Sequence, residues 1–223
     1  MTDNQSFSAG NYHESRLKTD PRRGQVWASL WRFFFTHRIQ PDYTVIDLGA
    51  GYGDFINHVR AQRRIAIDQW QEMPEHIQEG VESVVGSITD LGFLNNDSID
   101  YAFASNIFEH ISKSDLEGTL NQLSMKLSLR GTLTILQPNY RYCYREYFDD
   151  YTHVSIYSHI SLCDFLAANG WEVLEVQPRF LPLTIKSRLP SWPFLIGIYL
   201  RLPFKPLGKQ MLIVARPLKP LPR

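Results

Sequence analysis

Cysteine is scarce in this chain of 223 residues, with Cys143 and Cys163 the only two. Neither sits in a C-x-x-C or His–Cys spacing, which argues against a disulfide framework or a structural zinc and leaves both as reduced packing residues. The opening residues Met1 to Ser6 hold no Lys or Arg and no apolar run, unlike a secretory signal, so the protein is expected in the cytosol. Long apolar runs are missing too. The longest, Leu189 to Leu200, falls short of the roughly 20 residues that a membrane-crossing helix needs. Acidic residues are absent after Glu175, while Arg179, Lys186, Arg188, Arg201, Lys205, Lys209, Arg216, Lys219 and Arg223 all follow it. With a formal net charge of zero, this asymmetry points to an anionic partner at the tail, either a phosphate-bearing substrate or a membrane surface.

What is present is most informative between Thr44 and Phe55. There an apolar strand ends in Asp47-Leu48-Gly49-Ala50-Gly51-Tyr52-Gly53. Glycines at a strand end allow a sharp turn and bring bare peptide N–H groups against a ligand. A helix is expected from Asp54 to Arg63, followed by a second buried strand, Ile65-Ala66-Ile67-Asp68. Asp68 then stands where a carboxylate takes the two hydroxyls of a ribose. A dinucleotide fingerprint requires G-x-G-x-x-G, but these glycines run G-x-G-x-G and Asp54 occupies the third place, so the spacing leans away from a nicotinamide coenzyme.

Further along, Val26, Trp27, Leu30, Trp31, Phe34 and Phe35 recur at helical spacing within 22–37, behind Asp20-Pro21. Short strands are expected at Val84-Val85, Ile99 to Ala104, Thr132 to Leu136, Trp171 to Val176 and Met211 to Ala215. Helices are expected at Leu116 to Leu127 and Leu162 to Ala168. This alternation predicts an α/β fold, a Rossmann-like three-layer sandwich on a seven-stranded, mostly parallel sheet whose ligand lies beyond the carboxyl ends of the strands.

The motif at 47–53, Asp68, and the run Asp100-Tyr101-Ala102-Phe103-Ala104-Ser105-Asn106-Ile107-Phe108-Glu109-His110 together resemble class I S-adenosylmethionine-dependent methyltransferases, most closely the small bacterial type whose fourth motif ends Asn-x-x-Glu-His. The resemblance covers roughly Tyr43 to Val176 and implies an antiparallel last strand inserted beside the sixth. It further implies that Asp47, Gly49, Ala50 and Gly51 line the methionine part of the donor and that Asp68 holds its ribose. Gln69 and Trp70 would flank the adenine, Ser87 and Ile88 would meet its other edge, and Asn106 would face the sulfur. Two departures stand out: Gly86 is followed by Ser87 where the family has Asp, and the family's Pro-Gly-Gly turn is reduced to Arg130-Gly131-Thr132. The chain then reads as a single domain over 1–223. It comprises an N-terminal lid and helix (1–40, with Tyr12 and Arg16 as lid candidates), a core (41–177), a basic aromatic cap insert (178–209) and a last strand (210–216).

The acceptor's proton needs a base, and His153 and His110 lie beyond strand ends that face the cleft, with Asp149 or Asp150 placed to orient a ring. No convincing metal-ligand set is visible, since Asp149 and Asp150 are adjacent and point apart. An N-P-P-Y tetrapeptide for a flipped base is lacking after the fourth strand, which disfavours nucleic acid. The expected activity is O-methylation of a sugar-like or lipid-linked small molecule, with possible peripheral membrane contact through 178–209. An NAD-dependent oxidoreductase on the same βαβ unit and a non-catalytic S-adenosylmethionine-binding protein stay open.

Overall fold

The computed structural model describes residues 21–183 and 192–219. Tyr12, Arg16 and the first residues of the 189–200 run, up to 191, lie outside them. Seven strands form one sheet: β1 (Thr44–Leu48), β2 (Arg63–Asp68), β3 (Glu82–Val85), β4 (Ile99–Ser105), β5 (Leu127–Pro138), β6 (Trp171–Pro182) and β7 (Gly208–Pro217). Their order is β3-β2-β1-β4-β5-β7-β6, and only β7 runs antiparallel, slotted between β5 and β6. Around the sheet stand α1 (Pro21–Phe33), α2 (Lys113–Lys126), the short α3 (Tyr140–Cys143), α4 (His159–Ala168) and α5 (Pro193–Arg201).

Strand side chains alternate between two cores, as the pleat demands. Ile46, Leu48, Ile65, Ile67, Ala102 and Ala104 face one side, where Leu116, Leu120 and Leu123 of α2 and Leu162 and Leu166 of α4 cover them. Val45, Ala66, Tyr101 and Phe103 face the other, under Leu30, Phe34 and Phe35. On that side Trp27 meets Phe55 and Phe103 edge-on at 6.2 and 5.9 Å. Helix ends are set locally. Ser112 caps α2 by accepting from the Asp115 N–H at 3.1 Å, Ser158 and Ser161 form a capping box on α4, and Gly170 follows α4 at φ 77.

The helix expected from Asp54 to Arg63 does not form; residues 51–58 are a string of turns. Gly51 and Gly53 take positive φ values of 49 and 69, and the peptide bonds that follow mix spans of four (Asn57 N–H to Gly53 O, 3.0 Å) with spans of three (His58 to Phe55, 3.0 Å). Asn57 also turns its side chain outward from the turn, donating to the His76 carbonyl at 2.9 Å and accepting from the Gln78 N–H at 2.9 Å. A chain tied in this way by side chain to the next loop has no continuous ladder to extend.

Within the segment 178–209, β6 continues to Pro182 and α5 lies on α1. The Gly197 backbone comes so close to the Phe33 ring that a Cβ there would be 3.1 Å from it, and the Arg201 guanidinium sits 6.0 Å from the same ring. The opposite face of α5 is open, with Phe194 69% exposed. No helix of the described residues is long and apolar enough to cross a membrane. Cys143 is buried, donates to the Asn139 carbonyl at 3.1 Å, and has its thiol pKa pushed up to about 12 by burial, so it packs rather than reacts.

Gly131 lies where β5 leaves α2 and shifts register against β4. A Cβ there would stand 2.7 Å from the Ile99 carbonyl oxygen and 2.9 Å from the Ser128 nitrogen, both backbone atoms that cannot swing away. Gly131→Ala is expected to lower the unfolding free energy by about 1–3 kcal/mol in urea titration. An unchanged midpoint would show that the strand start yields freely.

Candidate active site

The chain reverses its order between β1 and β4, because β2 and β3 are added on one side of β1 and β4 and β5 on the other. A crevice opens beyond the carboxyl ends of strands at such a switch point. Gly49 to Gly53 follow β1 there, Asp68 ends β2, Ser87 follows β3 and Asn106 follows β4.

Gly49 has φ 73, and a Cβ on it would collide with the Ile107 side chain at 2.9 Å. The turn therefore demands glycine on two counts. Its N–H groups are not bare, contrary to the expectation. Those of Gly49 and Ala50 both donate to the Ile67 carbonyl (2.9 and 3.1 Å), that of Gly53 to Ala50 (2.8 Å) and that of Gly51 to Asp68 Oδ2 (2.8 Å). Asp68 Oδ1 accepts from the Trp70 N–H at 2.9 Å. Each carboxylate oxygen of Asp68 is thus held by one peptide donor, which fixes its plane and leaves acceptor capacity on both.

Asp47 is buried beneath this loop. Desolvation holds its carboxyl well above the usual carboxylate range; the Ile56 peptide N–H opposes this, and the charges of Asp54 and Asp68 reinforce it. Asp54, in the third fingerprint place, is bound to Arg23 of α1, whose Nε lies 2.8 Å from Oδ2. Trp70 is only 5% exposed; it stacks on His76 at 4.8 Å, and Tyr52 meets both rings edge-on at 4.9 and 4.7 Å. Gln69 beside it is exposed. Ser87 turns its Oγ to Thr89 Oγ1 (2.8 Å), and Ile88 is buried in the core on the α2 side. Asn106 is exposed, with an unusual φ of 51, pinned by its N–H to the Leu136 carbonyl (2.8 Å) and by Gln210 Nε2 donating to its Oδ1 (2.9 Å). Gln210 comes from β7, 104 residues away in sequence, and gave no sequence signal.

A second constellation forms where 147–155 folds back on the turn Phe108–His110. The Val154 and Ser155 N–H groups both donate to the Glu109 carbonyl (2.9 and 3.0 Å), and Ser155 Oγ donates to the Ile111 carbonyl at 2.7 Å. This brings the His153 ring 4.8 Å from that of His110. His153 Nδ1 faces the Tyr147 carbonyl at 2.6 Å, so Nδ1 carries the proton and the neutral ring keeps its lone pair on Nε2. Thr152 gives its hydroxyl proton to Asp150 Oδ1 (2.6 Å), so it accepts from His110 Nδ1 at 2.9 Å and fixes the same tautomer there. The orienting carboxylate is therefore Asp150, acting on His110 through Thr152; the exposed Asp149 takes no part in this chain. Burial pulls the His110 pKa down to about 4, with His153 adding to the fall. Glu109 is fully buried, and burial pushes its carboxyl up to about 8. Sequence reasoning read Glu109 only as part of the fourth motif and gave neither it nor Thr152 a site role, since only the folded loop sets them beside His153.

Residues 20–176 match the family described as Methyltransferase domain. No curated protein matches. Among solved structures, a SAM-dependent methyltransferase from Archaeoglobus fulgidus is similar at 18% identity and TM-score 0.66, covering 92% of this chain and 98% of that one. The methyltransferase component of a complex with the Haloferax volcanii Trm112 methyltransferase activator is similar at 17% identity and TM-score 0.63, over 88% and 98%. Geranyl diphosphate C-methyltransferase from Streptomyces coelicolor A3(2), solved with Mg²⁺, geranyl diphosphate and S-adenosyl-L-homocysteine, is similar at 16% and 0.55, over 80% and 72%. At these identities the likeness is one of fold.

Because the folded state raises the Asp47 pKa, it binds a proton that the unfolded chain releases. That contribution is complete at low pH and is lost as pH rises through the folded value. Relative to Asp47→Asn, the wild type should therefore lose stability as pH climbs from about 4. Urea titrations of both proteins across that range measure it, and a difference constant with pH would refute the assignment.

Proposed function

The chain belongs to the methyltransferase-domain family, and from that premise we propose that it moves a methyl group from S-adenosylmethionine to an oxygen of a sugar-like or lipid-linked small molecule. The observation that carries the donor half is the Asp68 carboxylate, held in plane by the Gly51 and Trp70 N–H groups beside a turn that tolerates no Cβ at Gly49. A ribose presents two adjacent hydroxyls, and a rigid carboxylate with acceptor capacity on both oxygens is their complement. Asp47, Gly49, Ala50 and Gly51 enclose the methionine end, Gln69, Trp70, Ser87 and Ile88 the adenine, and Asn106 faces the sulfur. A nicotinamide coenzyme is disfavoured by Asp54, whose carboxylate and Arg23 partner fill the place where its fingerprint needs glycine.

The chemistry is an in-line displacement. The acceptor oxygen approaches the methyl carbon at about 3 Å, a C–O bond forms, and the C–S bond breaks with its electron pair going to sulfur. The acceptor's proton leaves at the His110–His153 pair, with His153 Nε2 as the base, oriented by the Tyr147 carbonyl. Of the two roles open to the segment 178–209 in a single-domain chain, a cap over the acceptor or a contact with an anionic surface, its described residues favour the second. At the start of α5, along it and in the turn after it, Trp192, Phe194, Ile198, Phe204 and Leu207 are exposed beside Arg201 and Lys205. Apolar and aromatic side chains among cations suit a bilayer interface.

Calorimetry tests the donor. S-adenosylhomocysteine should release heat on binding and NADH none, and Asp68→Ala should weaken binding at least tenfold, about 1.4 kcal/mol. Heat with NADH alone would overturn the reading. Sedimentation with vesicles tests the surface: the protein should pellet with phosphatidylserine-containing vesicles, less so at high salt and less again as Phe194→Ser. No pelleting would exclude membrane contact.

A further inference from the structure

We propose that Glu109, His110 and His153 form a binding site for one divalent transition-metal ion of the zinc class. One ligand atom from each residue lies within 4.8 Å of the others. Two imidazoles and one carboxylate are a donor set that suits zinc, iron, manganese or cobalt and leaves a coordination position open to a substrate oxygen. At bond lengths of about 2.0–2.1 Å, tetrahedral ligand atoms stand about 3.4 Å apart, so an ion draws the three ligand atoms closer than the 4.8 Å within which they now lie.

Two independent observations support it. The first is Glu109, which is fully buried with neither carboxylate oxygen meeting a donor from another residue among those described. A buried polar group without a partner is costly and uncommon, and a cation supplies what this one lacks. The second is the outer ring of hydrogen bonds. The His153 Nδ1–H is bound to the Tyr147 carbonyl, and His110 Nδ1 to Thr152, itself bound to Asp150. Each pins its ring in the tautomer whose Nε2 carries the lone pair, the arrangement that orients histidine ligands around metals. The Glu109 main chain is clamped as well, since its carbonyl accepts from both Val154 and Ser155 on the loop that delivers His153. The three ligands are thus delivered by two segments sewn to each other.

The role of the ion rests on the methyltransferase reading above. The acceptor hydroxyl binds at the open position and loses its proton to solvent water, and the resulting alkoxide attacks the methyl carbon. With the ion bound, the ion lowers the hydroxyl's pKa, and His153, its Nε2 engaged as a ligand, gives up the role of base assigned to it above.

The test uses the full-length, tag-free protein stripped with chelator. Zn²⁺ is titrated by calorimetry, and Co²⁺ by its visible absorption, which reports tetrahedral nitrogen–oxygen ligation. One equivalent should bind. His153→Ala and His110→Ala should each weaken binding at least 100-fold, and Thr152→Val, which touches no ion, by about 10- to 100-fold. Circular dichroism of the metal-free variants should match wild type; Thr152→Val, at a half-buried residue outside the three ligands, keeps the question answerable should a histidine variant misfold. Less than one equivalent bound by wild type, or unchanged affinity in folded variants, would overturn the site. S-adenosylhomocysteine titrated into the same stripped sample separates the two ideas: heat without zinc binding removes the metal alone, and zinc binding without that heat removes the methyl-donor reading alone.

Discussion

The bond from the Gly51 N–H to the Asp68 carboxylate is the constraint on which the rest of the cleft depends. It joins the turn after β1 to the end of β2, and the Gly49 and Ala50 N–H groups double the junction through the Ile67 carbonyl. A loop so attached cannot drift from the sheet edge, and the carboxylate cannot rotate out of plane. Positive φ at Gly49, Gly51 and Gly53 is what allows three successive returns of the backbone in so short a distance. The cost is a chain segment unable to continue as a helix, and 51–58 is accordingly built of turns closed by side chains.

On the other side of the switch point the fold works differently. Asn106 is held by β7 through Gln210, and β7 exists at that position only because it runs antiparallel between β5 and β6. That side of the cleft is thereby assembled from strands distant in sequence, whereas the side formed by β1 and β2 is one contiguous βαβ-like unit lacking its helix. The loop 147–155 extends this pattern, since Tyr147 donates its hydroxyl to the Ser155 carbonyl at 2.6 Å and closes the loop on itself before it meets Glu109.

The glycine turn and the carboxylate that ends β2 were therefore legible in the sequence, whereas the joining of Glu109 to the loop that carries His153 was not. Glycine spacing, the apolar run of β1 and the position of Asp68 are local signals, and all seven strands were recognisable because their apolar residues alternate or run continuously between turn residues. The leucines at 116, 120, 123 and 127 were read as a single face and are all fully buried. The helix after β1 was misjudged because propensity knows nothing of Asn57 reaching the next loop. Glu109 and His153 stand 44 positions apart, and no pattern in one dimension says that a carbonyl of the first receives the two N–H groups just after the second. The choice of Asp150 over Asp149 turned on Thr152, a residue that carries no charge to notice.

Helix α1 touches two places at once. Near its start Arg23 grips Asp54 in the glycine turn, and at its last residue Phe33 is the seat for Gly197 of α5. The helix thus has the glycine turn against one end and α5 against the other. The glycine turn and the seat of α5 are therefore fastened to the same helix, about 15 Å apart along a single rod of 1.5 Å per residue.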